Sequence, residues 1–190
     1  VSPVFGVAIA DLDGDGRQDV ILGQNFFGYQ GETPRNDAGL SVWLKNLGQE
    51  KFEAVSAQTS GIRIWGEARG LATGDFDGDG RVDLAVGLNA PEVKVYRNRL
   101  GKPGLRVRLK GPPSNPLGVG AKLRLITAGG QYGPLHEVRM GGGYWSVDAA
   151  IQIMSLEGAQ QLEVEWPWGT GKQRVAIPAG AREITVSQVP

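Results

Sequence analysis

Cysteine is absent from all 190 residues, so neither a disulfide nor a thiolate metal site can staple this chain. Histidine occurs once, at His136 in "GPLHEV", with no serine or cysteine partner in view, and we expect it at the surface of a strand. Catalysis needs a nucleophile, a base and a cleft in register, and the sequence offers no such set; we expect no enzyme. There is no apolar run of about 18 residues and no charged-then-apolar leader, so we expect neither a bilayer span nor a signal peptide. Net charge is also missing: 20 basic residues balance 20 acidic ones, which argues against nucleic acid as a partner.

Glycine and proline, by contrast, are plentiful at 30 and 11 residues. Few helix-favouring runs separate them, and the pattern reads as many short strands joined by turns, an all-β chain. The zero net charge hides an asymmetry. Residues 1–100 carry 10 basic against 14 acidic residues and residues 101–190 carry 10 against 6, so the halves stand at −4 and +4. Two divalent cations would neutralise the first half.

The first half repeats itself. "GVAIADLDGDGRQDVILGQN" (6–25) aligns without a gap with "GLATGDFDGDGRVDLAVGLN" (70–89), 64 residues on, and "SVWLKN" (41–46) answers "VKVYRN" (93–98). Each copy reads strand, acidic loop, strand, connection, strand, and "FEAVSAQ" (52–58) is a candidate fourth strand in the first copy. The period suits a propeller blade.

Within each loop, acids fall at relative positions 1, 3, 5 and 9: Asp11, Asp13, Asp15 and Asp19, then Asp75, Asp77, Asp79 and Asp83. Position 7 offers the backbone carbonyls of Arg17 and Arg81, and Gly16 and Gly80 stand where the chain turns sharply. Calcium takes six to eight oxygens, which a short loop supplies only by converging carboxylates. The first half of the spacing is shared with the EF-hand, but position 12 is Leu22 or Val86 rather than Glu, and strands flank the loop. Acidic decoration of a tight turn and a catalytic carboxylate cluster are the competing readings. Two loops of four acids each favour metal: each close pair repels by about 1 kcal/mol even in water. We expect two calcium sites; magnesium would prefer fewer protein ligands.

The second half alternates with period two. "LRVRLKG" (105–111) and "LEVEW" (162–166), with "AKLRLI" (121–126), "VDAAIQIM" (147–154), "QRVAI" (173–177) and "EITVS" (183–187), predict about six strands and an antiparallel β-sandwich. The boundary is placed at "NRLGKPG" (98–104). Trp43 and Trp166 fall on inward positions and read as core. Trp65, Trp145 and Trp168 lie near glycine-rich turns, where packing and ligand stacking are both open. Arg106, Arg108, Lys110, Lys122 and Arg124 form an outward basic row, with Glu163 and Glu165 expected across the same face as a charge ladder.

With these motifs in place, "FGVAIADLDGDGRQDVILGQN" and "RGLATGDFDGDGRVDLAVGLNAP" resemble FG-GAP/VCBS repeats, the calcium-loop blades of integrin-α-like propellers. Phe5-Gly6 stands where that family's FG falls and Gly87 to Pro91 where its GAP falls. The second half, through "NPLGVGAKLRL", "GGGYWSVDAAIQI" and "LEVEWPWG", resembles the ASPIC/UnbV domain. The resemblance implies two calcium-loaded blades over residues 1–100 and a sandwich over 101–190. It also implies an extracellular or cell-surface adhesion or interaction protein. Two blades cannot close a propeller of four to eight, so either the chain is the end of a longer propeller, or the sandwich, a protein partner or copies of this chain are expected to cover the open faces. A carbohydrate-binding accessory module, using the exposed Trp residues on a glycan, is the alternative.

Overall fold

The computed structural model describes residues 2–28, 30–32, 34, 38–90, 92–139, 141–169 and 171–189; Pro91, in the GAP-like stretch, lies outside them. The alternating stretches of the first repeat form an antiparallel meander: β1 (Val4–Ala10), β2 (Asp19–Gln24), β3 (Val42–Gly48) and β4 (Lys51–Val55), hydrogen-bonded in that order. The expected fourth strand stops at Val55. There Ser56 accepts a hydrogen bond from Thr59 N–H and caps a single turn, α1 (Ala57–Ser60), which Gly61 ends in the left-handed region at φ 73°. The second repeat forms β5 (Ala68–Gly74), β6 (Asp83–Leu88) and β7 (Val93–Tyr96), again an antiparallel meander but of three strands.

Equivalent positions of the two sheets do opposite things. In the first, Ala8 and Ile21 pair across β1 and β2, and Ile21 pairs with Trp43 of β3, on the face turned to the second sheet. In the second, Leu71, Leu84 and Val86 are buried against that face. Leu71 enters a notch that only glycine leaves open: a Cβ would lie 2.2 Å from its Cδ1 at Gly6 and 2.6 Å at Gly23. The positions of the first sheet that match Leu71, Thr73, Leu84 and Val86 are Val7, Ile9, Val20 and Leu22. They lie on its other face with Val42 and Leu44, and all six are half-buried or exposed.

The second half folds into two facing sheets, β11 (Gln152–Met154), β8 (Leu105–Lys110), β14 (Glu183–Ser187) and β10 (His136–Glu137), β9 (Lys122–Thr127), β12 (Ala159–Glu165), β13 (Lys172–Ala176), each in that spatial order. Leu105, Val107 and Leu109 meet Leu123, Leu162, Val164 and Trp166 in one core, so Trp166 packs as expected. Three expectations need correcting. The sandwich is not wholly antiparallel, because β14 runs parallel to β8 after the chain crosses from one sheet to the other. The strand expected at 147–154 begins only at Gln152, because the residues before it bond to the edge of β5: Asp148 Oδ1 accepts from Thr73 N–H at 2.7 Å and from its hydroxyl at 2.8 Å, and Ala149 N–H donates to Thr73 O at 2.8 Å. His136 is buried in β10, not at the surface.

The basic row also divides. Lys122 pairs with Glu165 and Glu163 with Lys172 and Arg174 on one sheet, whereas Arg106 and Arg108 reach Glu183 on the other. The charge ladder therefore exists, but Arg106 and Arg108 stand outside it because β8 belongs to the opposite layer.

Candidate metal sites

Each acidic loop is built by its own carboxylates before any cation is considered. Asp11 Oδ1 accepts from Gly14 N–H at 2.9 Å and Asp15 N–H at 3.1 Å, and its Oδ2 accepts from Gly16 N–H at 2.8 Å. Asp75 does the same for Gly78, Asp79 and Gly80 at 2.8, 3.0 and 2.8 Å. Such bonds require the turn to close, and Gly16 and Gly80 close it at φ 84° and 85°, a region other residues enter only with strain.

The acids at position 9 fasten the loop to its sheet. Asp19 accepts from Leu12 N–H at 3.2 Å and Asn46 N–H at 2.8 Å; Asp83 accepts from Phe76 N–H at 2.9 Å and Asn98 N–H at 2.7 Å. Carboxylate oxygens of Asp11, Asp13 and Asp15 lie within 4.8 Å of one another, as do those of Asp75, Asp77 and Asp83. In these sets the first loop leaves out Asp19 and the second leaves out Asp79. The donor chemistry fits a hard divalent cation, which takes oxygen ligands and gains from carboxylates already clustered.

Electrostatics show what this clustering costs. Burial pushes the Asp11 carboxyl up to about 6, against the pull of its three backbone hydrogen bonds. Burial likewise raises Asp19. Burial opposes ionisation of Asp79 too, but hydrogen bonds from the Arg81 backbone and guanidinium prevail and hold it below its ordinary value. Cationic side chains crowd both loops. Arg17 pairs with Asp15, and Lys45 with Asp13 and Asp15. Arg81 pairs with Asp79, and Arg97 with Asp77 and Asp79. The Arg17 and Arg81 side chains thus turn to neighbouring acids. Arg106 comes from the sandwich to Asp75, whose side chain is 1% exposed, so the second loop is tied to the other half of the molecule.

Sequence reasoning missed the clasp that holds the two loops together. The connection at 98–104 runs across both: Lys102 N–H donates to Asp13 O at 2.9 Å and Gly104 N–H to Gly80 O at 2.8 Å. Asn98 bridges them, its amide donating to Leu12 O at 2.6 Å and Val82 O at 3.0 Å. The amide of Asn46, its counterpart in the first repeat, donates to Gln18 O at 3.0 Å, within its own repeat. The signal was present as the shared final Asn of "SVWLKN" and "VKVYRN". Asn98→Ala is expected to cost about 1–3 kcal/mol, the penalty for leaving part-buried carbonyls unpaired, and more than Asn46→Ala. Urea denaturation of both variants checks the order; equal losses would contradict the bridging role.

The three flagged tryptophans are all outside the cores: Trp65 is 71%, Trp145 88% and Trp168 78% exposed. Trp145 stacks on Tyr144 at 5.2 Å between ring centroids. Trp43, as expected, packs against the core between the repeats.

Fold and loops together define an all-β tandem repeat with two acidic strand-to-strand loops, joined to a β-sandwich. Residues 11–86 match the family model of the FG-GAP-like repeat, and residues 111–189 match that of ASPIC and UnbV. The chain is an FG-GAP-like repeat segment followed by an ASPIC/UnbV domain. No curated protein matches it significantly.

Proposed function

We propose that this chain is an extracellular, calcium-stabilised structural module whose two FG-GAP-like units are propeller blades, and that it serves adhesion or assembly rather than catalysis. FG-GAP-like repeats are typical of extracellular and cell-surface proteins, where calcium at millimolar concentration fills even weak loops. Among the described residues no helix is long and apolar enough to cross a membrane. Asp11, Asp13, Asp15 and Asp19 would hold one ion and Asp75, Asp77, Asp79 and Asp83 the other, with the Arg17 and Arg81 carbonyls as further oxygens. The ion supplies fixed positive charge that relieves carboxylate repulsion and locks the loop; it takes no part in chemistry.

The observation that carries the assembly reading is the unequal fate of equivalent faces. Leu71, Leu84 and Val86 are covered by the preceding sheet, whereas the matching Val20 and Leu22 of the first sheet, with Val42 and Leu44 beside them, are only half-buried. A sheet face of that composition is built to be covered, and the chemistry that covers it in the second repeat is another blade. Another protein's blade or a second copy of this chain is the fitting partner. Light scattering in calcium at rising protein concentration is expected to show mass growth that Leu44→Asp abolishes. A monodisperse monomer at the highest concentration would exclude self-assembly. Hydrogen exchange after chelation is expected to loosen residues 6–98 before the sandwich; simultaneous loss in both halves would refute a stabilising role confined to the blades.

A further inference from the structure

A cleft of about 330 Å³ runs between the paired repeats and the sandwich. Its apolar lining includes Val7 and Ile9 of β1 with Ile151 and Ile153, and among its polar groups are Gln18, His136, Asp148 and Gln152. These polar groups are only partly used within the protein. Gln18 and the His136 ring approach through the amide nitrogen and Nδ1 at 3.5 Å. Gln152 donates its amide to Ala149 O and Ala150 O at 3.5 and 3.4 Å, which engages its nitrogen and not its oxygen. Asp148 receives both Thr73 bonds on one oxygen. His136 Nε2, Gln152 Oε1, Gln18 Oε1 and Asp148 Oδ2 therefore have capacity for a ligand.

An aromatic platform adjoins this polar set. Tyr144 lines the cleft, lies nearly parallel to Trp145 at 9°, and meets Phe5 edge-on at 6.5 Å; the Arg69 guanidinium sits 4.1 Å from the centre of the Phe5 ring. Ligand chemistry follows by elimination. A purely apolar molecule would desolvate these polar side chains without pairing them. An anion would meet Asp11, Glu137 and Asp148 against a single cationic side chain, Arg139, which already pairs with Glu137. Among the described residues, the acid clusters that could hold a metal ion are those of the two loops, of which only Asp11 lines this cleft. A neutral polyhydroxylated ring has hydroxyls for the acceptors and an apolar face for Tyr144, and the volume is within the range of small-molecule sites.

We propose that this cleft is a saccharide-binding site, with Tyr144 as its stacking surface and His136, Gln152, Gln18 and Asp148 as its hydroxyl partners. Trp145 backs Tyr144 at the rim, while Trp65 and Trp168 take no part. The site adjoins the first acidic loop, in which Gln18 lies and whose Asp11 lines the cleft, while Tyr144, His136, Gln152 and Asp148 lie outside both loops.

Saturation-transfer NMR and tryptophan fluorescence, with hexoses, N-acetylhexosamines and their short oligomers as probes on the whole chain, test the proposal. Saturable binding is expected, weakened about tenfold, the equivalent of ~1.4 kcal/mol, by Tyr144→Ala and by Gln152→Ala, and unchanged by Trp65→Ala and Trp168→Ala. Ile151→Trp, which fills the cleft from its apolar wall, is expected to remove binding while the circular dichroism of the fold is kept. No saturable binding by any probe overturns the proposal. So does binding that survives Ile151→Trp, or that depends on Trp65 or Trp168 instead of Tyr144.

Discussion

Leu71→Ala is expected to destabilise the repeat half by about 2–5 kcal/mol, the range for emptying a buried leucine site. Leu71 is 1% exposed and fills the notch between Gly6 and Gly23, so its removal leaves a cavity whose glycine floor has no side chain to collapse into it. The effect should be confined to the repeats, because the sandwich core contains none of the residues that Leu71 touches there. Urea unfolding followed by a probe in each half measures it. A loss under about 1 kcal/mol would mean that the two sheets are held chiefly by their loops and not by packing.

Calcium is expected to have the other large effect. A ligand at one hundred times its dissociation constant adds about 2.7 kcal/mol per site, so two filled loops at near-neutral pH should raise stability by roughly twice that figure. Acid should erase this gain. Protons and calcium compete for Asp11, whose carboxyl stands at about 6, so calcium's contribution should shrink as pH falls through that value. In chelator the sign differs: a carboxyl raised in the folded state contributes stability below its unfolded value of 3.8, lost as pH rises through about 6. His136 acts oppositely. Burial lowers its pKa, so its contribution is present above the ordinary imidazole value and is lost as pH falls towards the folded one. Melting curves with and without calcium across this range separate the effects, since only the calcium difference is free of His136. A calcium increment that stays constant from neutral pH to well below 6 would exclude Asp11 as a ligand.

The parts of the molecule legible in the sequence were those set by local rules. Asp at positions 1, 3, 5 and 9 with Gly at 6 can close a strand-to-strand turn in few ways, and the 64-residue offset carried the same reading to a second place. Period-two alternation likewise located β8, β12, β13 and β14. What stayed hidden depended on the other half of the chain. Arg106 read as one member of an outward row, and only the docking of β8 beside the second loop makes it the partner of Asp75. Val147 to Ile151 carried strand propensity, but Asp148 and Ala149 bond instead to the edge of β5. His136 gave no sign of burial, because part of its surroundings comes from the other half of the chain, Gln18 among them. Parallel pairing of β14 with β8 is likewise decided by where the chain crosses between sheets, which alternation does not encode.

The central claim is that the two acidic loops are cation sites that hold the repeats in shape. Calorimetric titration of the chelated protein with calcium, run beside Asp11→Asn and Asp75→Asn, tests it most directly. The account predicts two sites in the parent chain and one in each variant, with the melting temperature rising as the sites fill. No heat of binding and no rise in melting temperature, or two sites persisting in both variants, would contradict it.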